Sequence, residues 1–281
     1  MITVHPKLVM GEMDRSELYQ PEKKTYREIE QRVNQTLKQI GAPCEMGEMK
    51  LYRLDVTANF VLQDPSLVSD YIRILKKGII LPHYRLEFFK DASKKAKDIK
   101  EARKNSYKQS CKSGAFFAYN KTAQLLMTDH FPKTLIGKSV LRIEAQLRRT
   151  GMKKWLTKDI KDMKNWDIIK KLGNKAPEIL KWYLNRILPA EGSHLLYRNS
   201  YEKLSEVKNR KTRERMEYLL RKTSDRGNLT EAVKDLREKF NISSNQSKRI
   251  LKKYDKLGIS PITLPNANQI HELPPLSRYL D

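Results

Sequence analysis

Two stretches of this chain alternate apolar and polar residues through four full repeats, a pattern that fits a β-strand and little else. In Arg53-Leu54-Asp55-Val56-Thr57-Ala58-Asn59-Phe60, the apolar set is Leu54, Val56, Ala58 and Phe60. In Leu141-Arg142-Ile143-Glu144-Ala145-Gln146-Leu147-Arg148, it is Leu141, Ile143, Ala145 and Leu147. Each strand therefore buries one face and turns the other, polar face outward. The polar faces carry one carboxylate each, Asp55 and Glu144, among guanidinium, amide and hydroxyl groups. Between them lies a third apolar run, Ala115-Phe116-Phe117-Ala118-Tyr119, followed by Asn120-Lys121. A turn at Lys112-Ser113-Gly114 makes 107–119 read as a hairpin.

The rest of residues 1–150 supplies helices and connectors around these strands. Ile2–Met10 reads as a short β-prone segment. Tyr26, Ile29, Val33, Leu37 and Ile40 recur at helical spacing and predict a helix over 22–40. Asp64-Pro65-Ser66 predicts a helix start, ended by Gly78. Residues 84–89 read as a further strand and 122–127 as a short helix. Residues 90–112 hold nine Lys/Arg against three Asp/Glu, so 9 − 3 = +6. That stretch reads as a solvated connector or as an arm touching phosphates.

Past Gly151 the periodicity becomes helical, over 156–172, 177–188, 201–224, 231–240 and 243–257. The last two form a helix pair about Asn241-Ile242-Ser243. Lys248, Arg249 and Lys252 stand on the outer face of its second helix, an arrangement resembling a DNA-reading helix-turn-helix. The segment 206–256 carries 16 Lys/Arg and 8 Asp/Glu, so 16 − 8 = +8. The expected organisation is α+β: an antiparallel-sheet catalytic domain over 1–150, then a mostly helical region over 151–281.

Charge narrows the function. The chain's 57 Lys/Arg against 33 Asp/Glu give +24 over 281 residues. Such an excess favours a polyanionic partner, nucleic acid before an acidic membrane surface. Two cysteines, Cys44 and Cys111, make neither a disulfide framework nor a four-ligand zinc site. No apolar run approaches the roughly 20 residues of a membrane span, and no signal-peptide pattern opens the sequence. The expectation is a cytoplasmic protein with no membrane partner.

The polar strand faces fit phosphodiester chemistry. Tyr119 is a candidate nucleophile, weak as a phenol because its ordinary pKa lies near 10. Mg²⁺ or Mn²⁺, which prefer oxygen ligands, would find them in Asp55 and Glu144. Lys121 falls on the tyrosine's side if the strand continues, and would steady charge on phosphorus. Arg53, Arg142 and Arg148 are candidate phosphate clamps. Other templates fit worse. No P-loop sequence is present, and the five histidines are scattered without a zinc motif or a closely spaced pair.

These blocks resemble the gene II and gene X replication proteins of filamentous phages. They are similar, more distantly, to the trans-acting Rep initiators of small plasmids and to related relaxases. The resemblance rests on three blocks in order: Arg53-Leu54-Asp55; Tyr119-Asn120-Lys121 with Gln124-Leu125 after it; and Arg142-Ile143-Glu144. It implies a Rep-nuclease-like fold and a rolling-circle initiator. Such a protein nicks origin DNA through a 5′-phosphotyrosyl link, here on Tyr119, and later rejoins the displaced single strand. Metal ligands would fall on Asp55 and Glu144, and the partners would be origin DNA, a host helicase and a host DNA polymerase. The alternatives are a non-catalytic basic DNA- or RNA-binding protein, and a relaxase for conjugative transfer using the same chemistry. A second tyrosine, Tyr107, is a candidate for termination.

Overall fold

The structure, a computed structural model, describes residues 2–11, 18–62, 64–87, 96–126, 135–157 and 159–280. Along the chain run α1 (Pro6–Val9), α2 (Lys23–Gln39), β1 (Arg53–Leu62), α3 (Pro65–Lys76), β2 (Arg85–Leu86), α4 (Ala96–Lys104), β3 (Ser106–Cys111), β4 (Gly114–Asn120), α5 (Lys121–Leu125) and β5 (Ser139–Arg148). There follow α6 (Arg149–Lys153), α7 (Asn165–Asn174), α8 (Ala176–Ile187), β6 (His194–Leu195), α9 (Tyr197–Lys203), α10 (Arg210–Arg226), α11 (Leu229–Phe240), α12 (Ser244–Lys256) and β7 (Glu272–Leu273). The fold is mixed helix and strand, with a five-stranded antiparallel sheet in the order β1-β5-β4-β3-β2. Among the described residues no helix is long and apolar enough to cross a membrane.

The chain divides into two compact units, each discontinuous in sequence. One is Met1–Pro65 with Ser110–Leu180, the other Ser66–Gln109 with Lys181–Asp281. A single cut after residue 150 does not separate them, because 66–109 groups with the helices near the C-terminus.

In the first unit, β5 lies between β1 and β4. Directly opposed residues share a face, so the register decides everything. Val56↔Ala145, Ala58↔Ile143 and Phe60↔Leu141 pair on the β1 side. Phe116↔Ala145 and Ala118↔Ile143 pair on the β4 side. All of these apolar residues are buried except Ala58, which is half-buried. Each large one contributes about 1.5–3 kcal/mol relative to exposure, so a one-residue slip that turned them outward would be heavily penalised. Gly114 fixes where the hairpin meets β5, since a Cβ there would lie 2.3 Å from the Gln146 carbonyl oxygen.

α2 packs Ile29, Val33 and Leu37 against Val9, Met46 and Met49, while Ile40, expected on that stripe, is 70% exposed at its C-terminal end. The Asn165 side chain at the start of α7 joins that region to the strand entrance. It accepts from the Leu51 N–H at 3.2 Å and donates to the Met49 carbonyl at 2.8 Å.

Three local expectations change. Residues 6–9 are helical rather than β, with Pro6 at the first helical position, where its fixed φ suits a helix. The helix expected over 156–172 is broken: Asp159 caps a 3₁₀ turn, Ile160–Asp162, and α7 starts afresh at Asn165. The helix expected over 201–224 is two, because the Asn209 side chain caps a new start at α10. Residues 88–95 and 127–134, which include most of the basic connector's start and of the loop before β5, lie outside the described residues.

In the second unit, α10, α11 and α12 pack through Met216, Leu219, Leu220, Ala232, Leu236, Ile250, Leu251 and Tyr254, all buried. The Tyr254 hydroxyl donates to the Met216 carbonyl at 2.6 Å. The residues after Ser260 contribute to this core. Ile262, Leu264, Leu273 and Leu276 are buried, and β7 pairs with β6. The stretch from Ser260, whose Pro and Asn content alone reads as a tail wrapping the surface, is therefore partly buried.

Candidate functional site

The register places Tyr119 on the same sheet face as the carboxylates. Arg142, on β5, is opposed by Asn59 on one side and Tyr119 on the other. Glu144 is opposed by Thr57 and Phe117, and Gln146 by Asp55 and Ala115. Glu144 is thus the diagonal neighbour of both Tyr119 and Asp55, within reach of long side chains. The Tyr119 hydroxyl donates to Glu144 Oε1 at 2.6 Å.

The rest of the face is bound into the same network. Arg142 Nε donates to Asn59 Oδ1 at 2.7 Å. The Arg53 guanidinium forks onto Asp55, with Nε donating to Oδ1 at 2.9 Å and Nη2 to Oδ2. Hydrogen bonding turns the Gln146 amide oxygen toward Arg53, where it accepts from Nε and Nη2 at 2.9 Å. The face is graded in its access to water: Arg53 and Asp55 are exposed, Tyr119 and Glu144 half-buried, Arg142 buried. Burial, then the Glu144 carboxylate, push the Tyr119 phenol well above its ordinary pKa, while Arg142 pulls it back. At neutral pH the hydroxyl keeps its proton and shares it with Glu144.

No match emerges from comparison with protein-family models, with curated proteins or with solved structures. The site's meaning is therefore carried by its geometry.

Three candidates stand elsewhere. β4 ends at Asn120, whose side chain accepts from the Ala123 N–H at 2.9 Å and starts α5. Lys121 is then the first residue of a helix, not the next position of a strand, so the strand-parity argument for it lapses. It is 6% exposed, and its ammonium donates to Gln124 Oε1 at 2.8 Å. Arg142 is the cation that acts on the phenol. Arg148 pairs with Arg53 at the far end of β5, six residues from Arg142 and so about 20 Å along the strand. Its Nη1 donates to the Lys112 carbonyl at 3.4 Å, at the β3–β4 turn. Tyr107 is 4% exposed and takes a hydrogen bond from Gln109, so its phenol is buried rather than presented.

Asn59, Gln146 and Thr57 are the residues that sequence reasoning leaves unassigned. The alternation puts them on the polar face, and only strand pairing shows which charged group each adjoins. Among the described residues, no group of three or more His, Cys, Asp or Glu side chains gathers. The donors present on this face are all oxygen: two carboxylates, two side-chain amides and the hydroxyls of Thr57 and Tyr119. That set fits a hard divalent ion of the magnesium kind, which uses one or two carboxylates and keeps several waters. Arg53 competes for Asp55. A cation held there would have to open that bidentate pair.

In the second unit, α11 and α12 meet through a three-residue turn. Asn241 takes the left-handed conformation at φ 46°, and Ser243 with Gln246 forms a reciprocal cap on α12. Ser247, Ile250, Leu251 and Tyr254 face inward, leaving Lys248, Arg249 and Lys252 exposed on one side of α12. A short turn and an exposed basic second helix are the two features the helix-turn-helix expectation calls for.

Proposed function

We propose that this chain is a rolling-circle replication initiator that nicks and rejoins origin DNA through Tyr119. The observation carrying this reading is the 2.6 Å hydrogen bond from Tyr119 to Glu144, on a sheet face that also holds Asp55 and Arg142. In the nicking step, Tyr119 Oη attacks phosphorus and the bond to the 3′ oxygen breaks. The 5′ phosphate stays on the tyrosine, and the 3′ oxygen takes a proton from water. The phenol's proton already rests against Glu144 Oε1 and passes there as the new bond forms. Arg142 faces the phenolic oxygen and meets the incoming phosphate. Rejoining runs the same step backwards, with a 3′ hydroxyl attacking the phosphotyrosine. Asp55 and Glu144 are the residues that would hold Mg²⁺ or Mn²⁺, which would supply Lewis-acid stabilisation of the charge developing at phosphorus. The freed 3′ end then serves a host polymerase, and the displaced strand a host helicase.

The rival is a basic DNA- or RNA-binding protein in which Tyr119 is structural, favoured by the phenol's raised pKa. Supercoiled plasmid carrying the DNA that flanks this protein's own gene separates the two. Nicked circles with protein on the 5′ end, absent for Tyr119→Phe, support the initiator. Equal nicking by Tyr119→Phe removes the nucleophile. A relaxase shares this chemistry and would be distinguished by the DNA it selects.

A further inference from the structure

α10 and α11 carry a second cationic feature that the helix-turn-helix reading does not use. Tyr218 of α10 and Phe240 of α11 meet edge to face, with ring centroids 5.4 Å apart. Cations surround them. Lys239 Nζ stands 4.5 Å from the Tyr218 centroid, and Arg221 Cζ and Lys222 Nζ each 5.7 Å from it. Arg215 Cζ lies 5.8 Å from the Phe240 centroid, and Lys239 also reaches that ring at 5.6 Å. Among the described residues, none of these four cations forms an ion pair with a carboxylate; the ion pair on α10 joins Arg213 to Glu217.

Four cations about two rings repel one another. Ring quadrupoles hold them in place but do not neutralise them. A cluster kept this way gains most from a ligand that brings several negative charges at short spacing, which a nucleic-acid backbone does. Both rings are half-buried and packed edge to face, so they present no open platform for stacking bases. Phosphate contact is the mode that fits. Position supports it too. Lys239 and Phe240 end α11, and Asn241, Ile242 and Ser243 lead directly into α12, where Ser244 and Asn245 are exposed. The cluster therefore borders the entry of the helix offered to a groove.

We infer that Arg215, Arg221, Lys222 and Lys239 form a phosphate clamp. It grips the duplex backbone beside the groove that α12 enters. The inference deepens the DNA-binding part of the proposed function and does not depend on cleavage.

The test is fluorescence anisotropy of the full chain on a random-sequence duplex across about 50–200 mM salt. It is run in a Tyr119→Phe background so that no cut complicates binding. Removing one cation that neutralises a phosphate should reduce the slope of log K against log salt by about 0.9. The variant R215Q/R221Q/K222Q/K239Q should thus lose up to about 3.6 units of slope. Lys239→Gln alone, at an exposed position that leaves the helix core intact, should lose about one. A charge-matched control, Lys170→Gln with Lys171→Gln on α7, should change the slope less than a clamp pair such as Lys222→Gln with Lys239→Gln. An unchanged slope in the quadruple variant overturns the inference, as does a loss in the control equal to that of the clamp pair. A loss confined to single-stranded DNA, or to vesicles of anionic lipid, also overturns it by giving the cluster a different occupant. If the Tyr119 adduct is never found but the slope falls as stated, the nuclease reading fails and the clamp stands.

Discussion

The sheet face and the α10–α12 bundle are both rich in cations, yet they treat them in opposite ways. On the sheet, Arg53 is bound to Asp55 and Arg142 to Asn59, with Glu144 and Gln146 completing the network. In the bundle, Arg215, Arg221, Lys222 and Lys239 rest on aromatic rings, and Lys248, Arg249 and Lys252 stand in water. A hydrogen-bonded network holds side chains in one geometry, which bond-making at phosphorus requires. Uncompensated cations attract a polyanion at range and release its counterions on contact. On the proposed function, one region serves position and the other grip.

That contrast predicts a crossover. Sheet substitutions should damage chemistry and leave the salt dependence of binding alone; bundle substitutions should do the reverse. The largest effect is expected from Glu144→Gln and Asp55→Ala. Each should slow single-turnover nicking by about a hundredfold or more, the usual weight of a lost acid–base or charge-stabilising group. Gel-shift affinity for the same DNA should stay within about threefold. If nicking is unchanged while affinity falls, the two regions share one role and the contrast breaks.

Next in size is Lys248→Gln with Arg249→Gln and Lys252→Gln. This variant should lower the salt slope by about three units if all three meet phosphates. If one of them reads a base instead, discrimination between sites falls by about 1–3 kcal/mol. Nicking at saturating protein should be retained. A slope equal to that of the parent protein would leave α12 outside the interface.

A further prediction tests whether the bundle's unit is held by packing rather than by charge. His194 is fully buried, and its Nδ1–H donates to the Ile262 carbonyl at 2.7 Å, which leaves Nε2 without a partner among the described residues. Burial lowers its pKa to about 4. Since the folded value lies below the unfolded one near 6.5, the contribution is complete above about pH 6.5. It is lost as pH falls toward about 4, by roughly 3 kcal/mol. Urea titrations across that range should show the slope in the parent protein and a shallower one in His194→Gln. Parallel curves would place the acid sensitivity elsewhere.

Much of this is legible in the residues. Alternation fixes β1 and β5 and the composition of their two faces, because burial of Leu141, Ile143, Ala145 and Leu147 admits only one of the two faces as the inner one. It does not settle whether Tyr119 shares the carboxylates' face. That depends on β4 pairing Tyr119 with Arg142, a tertiary fact that no local pattern encodes. Lys121 is misplaced by strand parity because Asn120 serves both as strand end and as helix cap, and a short polar side chain gives no local sign of which. Arg148 belongs to the same polar face as Arg142, but strand length separates them. The breaks near 159 and 209 are hidden for a related reason. Asp and Asn caps interrupt stretches whose apolar spacing alone runs on as one helix. In the second unit, residues after Ser260 read as a surface tail because four Pro and two Asn break up any regular periodicity there. Their four buried aliphatic residues find their partners only through long-range packing.

The central claim is that Tyr119 becomes joined to DNA. After reaction of the full chain with DNA and Mg²⁺, nuclease and trypsin digestion should leave residues 113–121 as one peptide, in which Tyr119 is the sole tyrosine. Mass spectrometry should find that peptide carrying a 5′-linked nucleotide phosphate, and find no such adduct from Tyr119→Phe. Nicked DNA accompanied by an adduct on another tyrosine, or by none, would contradict the account.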